Sequence, residues 1–180
     1  PHFSITRSGL IGGGPKDNIL PGEISLAHNG ILFLDELTEF ARNTLEALRS
    51  PMETGRVLIA RTGQAIEFPC KFQLVAASNL CPCGLFPLAT CQCATSKIQN
   101  YQKKISGPLL DRCDLKVLVG PLDHNQRFEQ KAREPSSAIR KRVEAGQAMQ
   151  RTRYGSEKQN ADLKPSEIFT TTEITSEATE

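Results

Sequence analysis

The sequence predicts an α/β fold in which helices cover a parallel β-sheet. The first support is ILFLDEL (31–37), where four successive apolar residues precede two acids. A second apolar run, FQLVAASN (72–79), ends in a polar pair, and LKVLV (115–119) is a third candidate strand. Apolar runs without alternation are typical of strands buried on both faces, as in a parallel sheet between layers of helices.

A helix and a hairpin are predicted between the first two strands. The helix is indicated by apolar residues at three- and four-residue intervals, and Pro51 and Gly55 mark its end. Its apolar face consists of Leu37, Ala41, Leu45, Leu48 and Met52. RVLIA and AIEF then flank Gly63 with apolar residues at alternating positions, which is the pattern of a β-hairpin. These alternating residues are Val57, Ile59, Ile66 and Phe68.

The rest of the chain is predicted to be mainly helical. Ile98, Tyr101 and Ile105 share one helical face after the second strand. We expect a core domain over residues 1–122, a polar linker over 123–135 and a helical region over 136–180. The last residues, rich in Thr and Glu, lack an apolar face, so we expect them to be frayed.

Composition narrows the function only slightly. The 180 residues are 38% hydrophobic and 23% charged, and the formal net charge of +2 is too small to indicate a nucleic-acid partner. No apolar stretch approaches the roughly 18 residues of a membrane-spanning helix, and the first residues do not resemble a signal peptide. We therefore expect a cytoplasmic protein without a membrane partner.

Polar side chains follow two of the predicted strands. Asp35 and Glu36 come directly after the first, and Asn79 follows the second. Because ligands of open α/β sheets bind beyond the carboxyl ends of the strands, these groups can share one crevice. There one carboxylate can hold Mg²⁺, the second can orient or deprotonate a water, and the amide can position it. Acids at a strand end also serve as turn or cap residues, and the pattern alone leaves both interpretations open.

Four of the six cysteines form a C-x-C-x₇-C-x-C pattern at Cys81, Cys83, Cys91 and Cys93. Four thiolates from two short turns can make a tetrahedral zinc site; reduced structural thiols and redox chemistry are the alternatives. A reducing cytoplasm argues against disulfides. Since Cys81 follows Asn79 almost directly, a metal there would brace the loop carrying Asn79. Cys70 and Cys113 are expected to be ordinary buried small residues.

Four longer segments resemble one known family. PGEISLAHNGILFLDEL, LEALRSPMETGRVLIAR, FPCKFQLVAASN and SGPLLDRCD occur in this order, and together they resemble the ComM-type magnesium-chelatase-like AAA+ ATPases. The resemblance covers about residues 1–163. It implies a partial parallel-sheet AAA+ core of the P-loop NTPase type, with a hairpin insertion and the start of a helical lid.

The resemblance assigns roles to particular residues. It implies a Walker B element with Asp35 at Mg-ATP and Glu36 as the catalytic carboxylate that orients or deprotonates the attacking water, and a sensor-1 amide at Asn79. Arg112 would be an arginine finger that acts on ATP bound by the neighbouring subunit of a hexameric ring, because a guanidinium neutralises charge on the transferred phosphoryl group. The alternative for Arg112 is local pairing with Asp111 or Asp114.

The resemblance also implies action on DNA, as in branch migration during natural transformation. In this clade a hairpin before sensor 1 projects toward the ring pore, so Arg56 and Arg61 are candidate phosphate contacts. Exposed arginines that only increase solubility are the alternative. A non-hydrolysing remnant or zinc-braced binding module, and a magnesium chelatase subunit, are the other functions considered.

No G-x-x-x-x-G-K-[ST] phosphate loop occurs in these residues, because GLIGGGPK (9–16) has the wrong spacing. The family places that element upstream of this region and the sensor-2 arginine downstream of it. Pro1 also falls in what reads as the middle of a domain, which suggests an excerpt, a processed piece or a truncated product. We therefore expect these residues alone to have little or no ATPase activity.

Overall fold

The centre of the fold is a pair of parallel strands, which confirms the parallel pairing predicted from the two apolar runs. In the computed structural model, Leu32 is opposite Leu74 and Leu34 is opposite Ala76. Residues 1–15, 17–61, 63–120, 134–155, 157–164 and 166–168 are described. The strands are β1 (Gly12–Gly13), β2 (Leu20–Pro21), β3 (Ile31–Leu34), β4 (Arg56–Arg61), β5 (Gln64–Pro69) and β6 (Gln73–Ala76). The helices are α1 (Arg7–Ile11), α2 (Glu23–Leu26), α3 (Arg42–Glu46), α4 (Arg49–Thr54), α5 (Thr95–Gln102), α6 (Gly107–Leu110) and α7 (Ser136–Tyr154).

Strand β3 is buried on one face only, so the prediction of burial on both faces was wrong for the described residues. Leu32 and Leu34 are almost fully buried, whereas Ile31 and Phe33 are 63% and 50% exposed. Successive side chains of a strand point to opposite faces, and this two-stranded sheet is covered on one of them. The opposite face, which includes Val75, is open to solvent.

The single helix predicted from Leu37 to Met52 is broken into three pieces, which corrects that prediction. A 3-10 turn over Leu37–Glu39 comes first, followed by α3 and α4. Phe40 and Ala41, which separate the 3-10 turn from α3, have extended backbones. Pro51 has no N–H to donate to the carbonyl of Ala47, so α3 cannot continue into α4. Gly55 ends α4 in the left-handed conformation, as predicted.

The predicted hairpin is confirmed. Strands β4 and β5 pair antiparallel, with Val57 opposite Phe68 and Ile59 opposite Ile66. Val57 and Ile59 are buried, while their partners on β5 are half-buried. The hairpin therefore lies in the connection between the two parallel strands and presents one apolar face to the core.

One hydrophobic cluster ties these elements together. It consists of Leu10, Ile24, Leu32, Leu34, Leu37, Phe40, Leu45, Leu48, Val57, Ile59, Cys70 and Leu109. Burial of each large aliphatic side chain contributes roughly 1.5–3 kcal/mol relative to exposure. The cluster spans residues from α1 to α6 and includes Leu34, so it anchors the carboxyl end of β3, and Leu74 of β6 packs against it.

Two predictions for the segment after β6 had different outcomes. Helix α5 carries buried Ile98 and Tyr101 on one face, with half-buried Ile105 beyond its end, as predicted. The third strand predicted for LKVLV was wrong, because residues 115–119 have no strand pairing. Their apolar side chains are exposed, since no sheet edge in the described residues is paired with them.

The chain separates into two units, residues 1–118 and 119–180. In the second unit α7 ends at Gly155 in the left-handed conformation, and the Tyr154 hydroxyl donates to Asn160 Oδ1 at 2.7 Å. The predicted linker lies outside the described residues apart from 134–135, and so does the tail from 169 onward. None of the helices in the described ranges has the length and apolar character needed to span a bilayer.

Candidate functional site

The acid pair protrudes from the sheet at the carboxyl end of β3. The N–H of Ala77 donates to the Leu34 carbonyl, and the Ala77 carbonyl accepts from the N–H of Leu37, both at 2.9 Å. Asp35 and Glu36 lie between these two hydrogen bonds and are displaced from the ladder. Both side chains are exposed. The bulge therefore directs two carboxylates to solvent beside the end of β6.

Glu36 has a backbone conformation that sequence reasoning missed. Its φ of 50° and ψ of 47° are left-handed, which is uncommon for a residue with a Cβ. Its N–H donates to Asp35 Oδ1 at 2.9 Å. Among the described residues no other hydrogen bond or ion pair holds either carboxylate. Strained backbone of this kind is concentrated at functional sites, and no sequence signal identifies it here.

Asn79 lies at the same edge as the acid pair. It follows β6 by three residues, as Asp35 follows β3 by one, and its side chain is exposed. In the described residues no hydrogen bond links Asn79 to Asp35 or Glu36. Besides the two backbone hydrogen bonds of Ala77, Ser78 Oγ links the two segments by donating to Thr38 Oγ1 at 3.4 Å. The structure thus brings the three predicted residues to one edge, where Asp35 and Glu36 are hydrogen-bonded to each other and, in the described residues, Asn79 is hydrogen-bonded to neither.

Arg112 lies just after α6 and is paired locally, although with a partner that sequence reasoning missed. Its guanidinium forms an ion pair with Glu53 of α4 rather than with Asp111 or Asp114, and it also donates to the Pro108 carbonyl. Its Nε is buried and has no hydrogen-bond partner among the residues that the structure describes. The side chain is 24% exposed, so part of the guanidinium still faces solvent.

The two hairpin arginines are also held by the protein. Arg56 forms an ion pair with Glu67 across the hairpin at 3.2 Å. Arg61 donates from Nε to the Gly14 carbonyl at 3.3 Å, which connects the hairpin tip to the glycine-rich loop. Both residues are exposed. A surface pair such as Arg56–Glu67 is worth at most about 1 kcal/mol, so it does not prevent contact with another anion.

The four clustered cysteines converge on one point. Their sulfur atoms all lie within 4.8 Å of one another. Cys81 Sγ is 3.3 Å from Cys83 Sγ and 3.8 Å from Cys91 Sγ, and Cys83 Sγ is 3.6 Å from Cys91 Sγ. A Zn–S bond of about 2.3 Å gives a tetrahedron with edges of about 3.8 Å. These separations fit one tetrahedral ion and exceed the roughly 2.05 Å of a disulfide bond.

The environment of the cluster shifts the pKa values of two of its thiols in opposite directions. Burial disfavours the Cys81 thiolate, but the N–H of Phe86 donates to Cys81 Sγ at 3.3 Å and, with Cys83, lowers the pKa of Cys81 to about 6. The backbone N–H of Cys93 favours a Cys91 thiolate; burial and the neighbouring cysteines outweigh it and raise the pKa of Cys91 to about 11. Outside the cluster, Cys70 is buried as predicted, whereas Cys113 is only half-buried.

Comparison with known families identifies the chain. Residues 1–127 match the profile of the family described as magnesium chelatase, subunit ChlI. The chain belongs to the magnesium chelatase family. The match includes Asp35, Glu36, Asn79, the cysteine cluster and Arg112, so all the candidate residues of this magnesium chelatase family member lie within the matched region.

Two curated relatives align with nearly the whole chain. The uncharacterized protein YifB of Salmonella typhimurium is 44% identical over 170 residues, and competence protein ComM of Haemophilus influenzae is 43% identical over 171. Each alignment covers 93% of this chain, and 33% of YifB and 32% of ComM. This magnesium chelatase family member therefore spans about a third of the length of those relatives, and the resemblance to ComM-type proteins is confirmed.

Proposed function

We propose that this chain is the hydrolytic part of a AAA+ ATPase subunit of the ComM type, which assembles as a hexameric ring and acts on DNA in the cytoplasm. The observation that carries the proposal is the bulge at the end of β3, which presents Asp35 and Glu36 to solvent beside the end of β6. Parallel strands with exposed acids at their carboxyl ends are a common setting for nucleotide chemistry.

Three residues at this edge have complementary chemical roles. Asp35 supplies carboxylate oxygen for Mg²⁺ bound to ATP, which neutralises phosphate charge during hydrolysis. Glu36 orients the attacking water and accepts its proton, and the Asn79 amide holds that water in line. The exposure of both acids supports these roles, because neither carboxylate is occupied by a protein cation in the described residues.

Arg112 is proposed to act on ATP bound by the neighbouring subunit. The guanidinium is partly exposed, and its Nε has no hydrogen-bond partner among the described residues. Both observations support the proposal that Arg112 can exchange its local partner for a phosphate. Glu53 then serves as the resting partner that orients Arg112 before the subunits meet. The Glu53 ion pair is the feature that favours the opposite interpretation, a purely structural arginine.

The cysteine cluster is proposed to hold Zn²⁺. Three of its sulfur separations, 3.3–3.8 Å, are close to the edge of a tetrathiolate zinc site, and Cys81 accepts an N–H hydrogen bond of the kind that stabilises a thiolate. A reducing cytoplasm keeps such thiols available to the metal. The alternatives are reduced structural thiols and redox chemistry.

Metal analysis of the purified chain distinguishes these alternatives. We expect about one zinc per chain, and replacement by Co²⁺ should give the visible absorption of tetrahedral cobalt thiolate. Cys113→Ser is the matched control, since Cys113 lies outside the cluster, and it should retain the metal. A zinc content near zero under reducing conditions contradicts the proposal.

DNA is the proposed macromolecular partner, and the hairpin arginines are its candidate contacts. The experiment is ATP hydrolysis by the full-length gene product with and without branched DNA; we expect DNA to stimulate turnover. Arg56→Ala and Arg61→Ala should each lower DNA affinity and reduce the slope of log affinity against log salt by about 1. Arg42→Ala, on α3 rather than on the hairpin, should leave DNA affinity unchanged.

Two other functions give different results in the same experiment. ATP-independent DNA binding without hydrolysis indicates the zinc-braced binding module, which the convergence of the four cysteines favours as the second candidate. Hydrolysis that is indifferent to DNA contradicts the DNA partner. In that case a magnesium chelatase subunit, the description of the matched family, becomes the better proposal.

A further inference from the structure

We infer that the four-cysteine cluster is a metal-dependent brace for Asn79, so that metal occupancy decides whether this amide is held at the acid edge. The inference rests on the proposed zinc site and the proposed ATPase function. It adds that the zinc site supports ATP hydrolysis by holding a catalytic side chain in place. Asn79 is one of the proposed catalytic residues, and the cysteines act on it as positioning residues.

The brace follows first from where the cysteines stand in the chain. Cys81 comes two residues after Asn79, and Cys93 comes two residues before Thr95, where α5 begins. One ion bound to both C-x-C pairs therefore joins the loop that carries Asn79 to the start of α5. The intervening loop is closed at its base by the metal.

The first cysteine turn lies close to the Asn79 side chain. Gly84 N–H donates to the Cys81 carbonyl at 3.0 Å, and Gly84 adopts a positive φ of 75° that favours glycine. A Cβ placed on Gly84 would be 3.7 Å from Asn79 Oδ1. The turn that positions two of the thiols is thus close to the amide, and a side chain at residue 84 would contact it.

Helix α5, at the other end of the cluster, contacts both segments of the acid edge. Gln102 Nε2 donates to the Leu80 carbonyl at 3.0 Å, next to Asn79. Lys104, just beyond α5, is 3.8 Å from Glu39 Oε2, three residues after Glu36. A metal that fixes the start of α5 therefore also restrains the contacts that this helix and Lys104 make with the residues on either side of the candidate site.

The contacts of the cysteine loop are mostly local. None of the nine residues from 82 to 90 is fully buried, and the loop's largest apolar side chains, Leu85, Phe86 and Leu88, remain 40–42% exposed, so apolar burial offsets only part of the conformational entropy of ordering the loop. Thiols without an ion provide only weak S–H interactions. Metal binding supplies the missing free energy of ordering, as in other small structural zinc sites.

The test is hydrogen exchange of the chain with and without metal. Removal of zinc by a chelator is expected to speed amide exchange at residues 78–84 and in α5 by about tenfold or more, while the β4–β5 hairpin exchanges unchanged. Re-addition of zinc should restore protection. If exchange at 78–84 is unaltered when the metal leaves, or if the chain binds no metal, the brace is overturned.

Single substitutions provide a second route. Cys83→Ser changes the exposed member of the cluster and should reproduce the fast exchange of the metal-free chain; Cys113→Ser is the matched control and should not. If Cys83→Ser does not fold, the reversible chelation experiment decides alone. A folded, metal-free Cys83→Ser chain with native protection at 78–84 contradicts the inference.

Hydrolysis by the full-length gene product separates this inference from the proposed function. If the wild type hydrolyses ATP, Cys83→Ser should lower kcat about tenfold with KM for ATP unchanged, because the metal acts through Asn79 rather than on nucleotide binding. An unchanged kcat in the metal-free variant overturns the brace. If the wild type does not hydrolyse ATP, the ATPase proposal fails, and the exchange experiment still decides whether the metal orders Asn79.

Discussion

Replacement of Glu36 by glutamine is expected to lower ATP turnover by about 100- to 10,000-fold in the full-length gene product, which is the range for loss of a general base. Glutamine has nearly the same shape but cannot accept the proton of the attacking water. Glu36 is exposed and its side chain has no protein cation as partner in the described residues, so the fold should be unaffected. Steady-state hydrolysis gives kcat, and titration with a fluorescent nucleotide shows whether ATP binding is retained.

The matched control is Glu39→Gln, which neutralises the next acid along the same edge. Glu39 is 3.8 Å from Lys104, a surface pair worth at most about 1 kcal/mol, so this change should leave turnover within about twofold. Unchanged hydrolysis in Glu36→Gln contradicts the assignment of Glu36 as the base. An equal loss in both variants indicates that the edge needs negative charge in general rather than a base at Glu36.

Replacement of Arg112 by alanine is expected to lower hydrolysis by about 1,000-fold or more, the range for loss of an arginine finger. Because the finger acts across a subunit interface, two inactive variants should complement each other. A 1:1 mixture of Arg112→Ala and Glu36→Gln subunits should recover about a quarter of the active sites, namely those where an intact Glu36 faces an intact Arg112 of the neighbour. The recovery is measured by comparing ATP hydrolysis of rings that contain one variant with that of rings assembled from the 1:1 mixture.

The ion pair with Glu53 provides the control for Arg112. Glu53→Gln removes the local partner and leaves the guanidinium in place, so it should preserve most of the hydrolysis if Arg112 is a finger. If Arg112 is purely structural, Glu53→Gln and Arg112→Ala should both lower thermal stability, and the mixture of Arg112→Ala with Glu36→Gln should not recover activity. Absence of complementation therefore contradicts the finger.

Much of the first unit was predictable because its signals are local. The hairpin was identified from the alternation of Val57 with Ile59 and of Ile66 with Phe68, and β3 was identified from four successive apolar residues. Such patterns reflect the two-residue period of a strand and its burial, which depend on neighbours in the sequence. The parallel pairing was predicted from the two apolar runs and is confirmed, although one face of β3 is exposed.

The wrong predictions concern segments whose structure depends on partners distant in the chain or on backbone constraints. LKVLV has the composition of a strand, but a strand also needs an edge to pair with, and its apolar side chains remain exposed. Residues 37–52 do have a helical periodicity of apolar residues. The helix itself is interrupted by Pro51 and by the extended backbone at Phe40 and Ala41. Propensity within a window did not outweigh these backbone constraints.

For the candidate site, the sequence by itself determined which groups are present: two acids after one strand, an amide after the next, and four cysteines in two close pairs. Only the tertiary structure decided how they are arranged. It placed the acids in a bulge with Glu36 left-handed, brought the four sulfur atoms within 4.8 Å, and paired Arg112 with Glu53. These arrangements depend on contacts between residues far apart in the chain, and the identity of a residue does not reveal which distant group the fold will bring beside it.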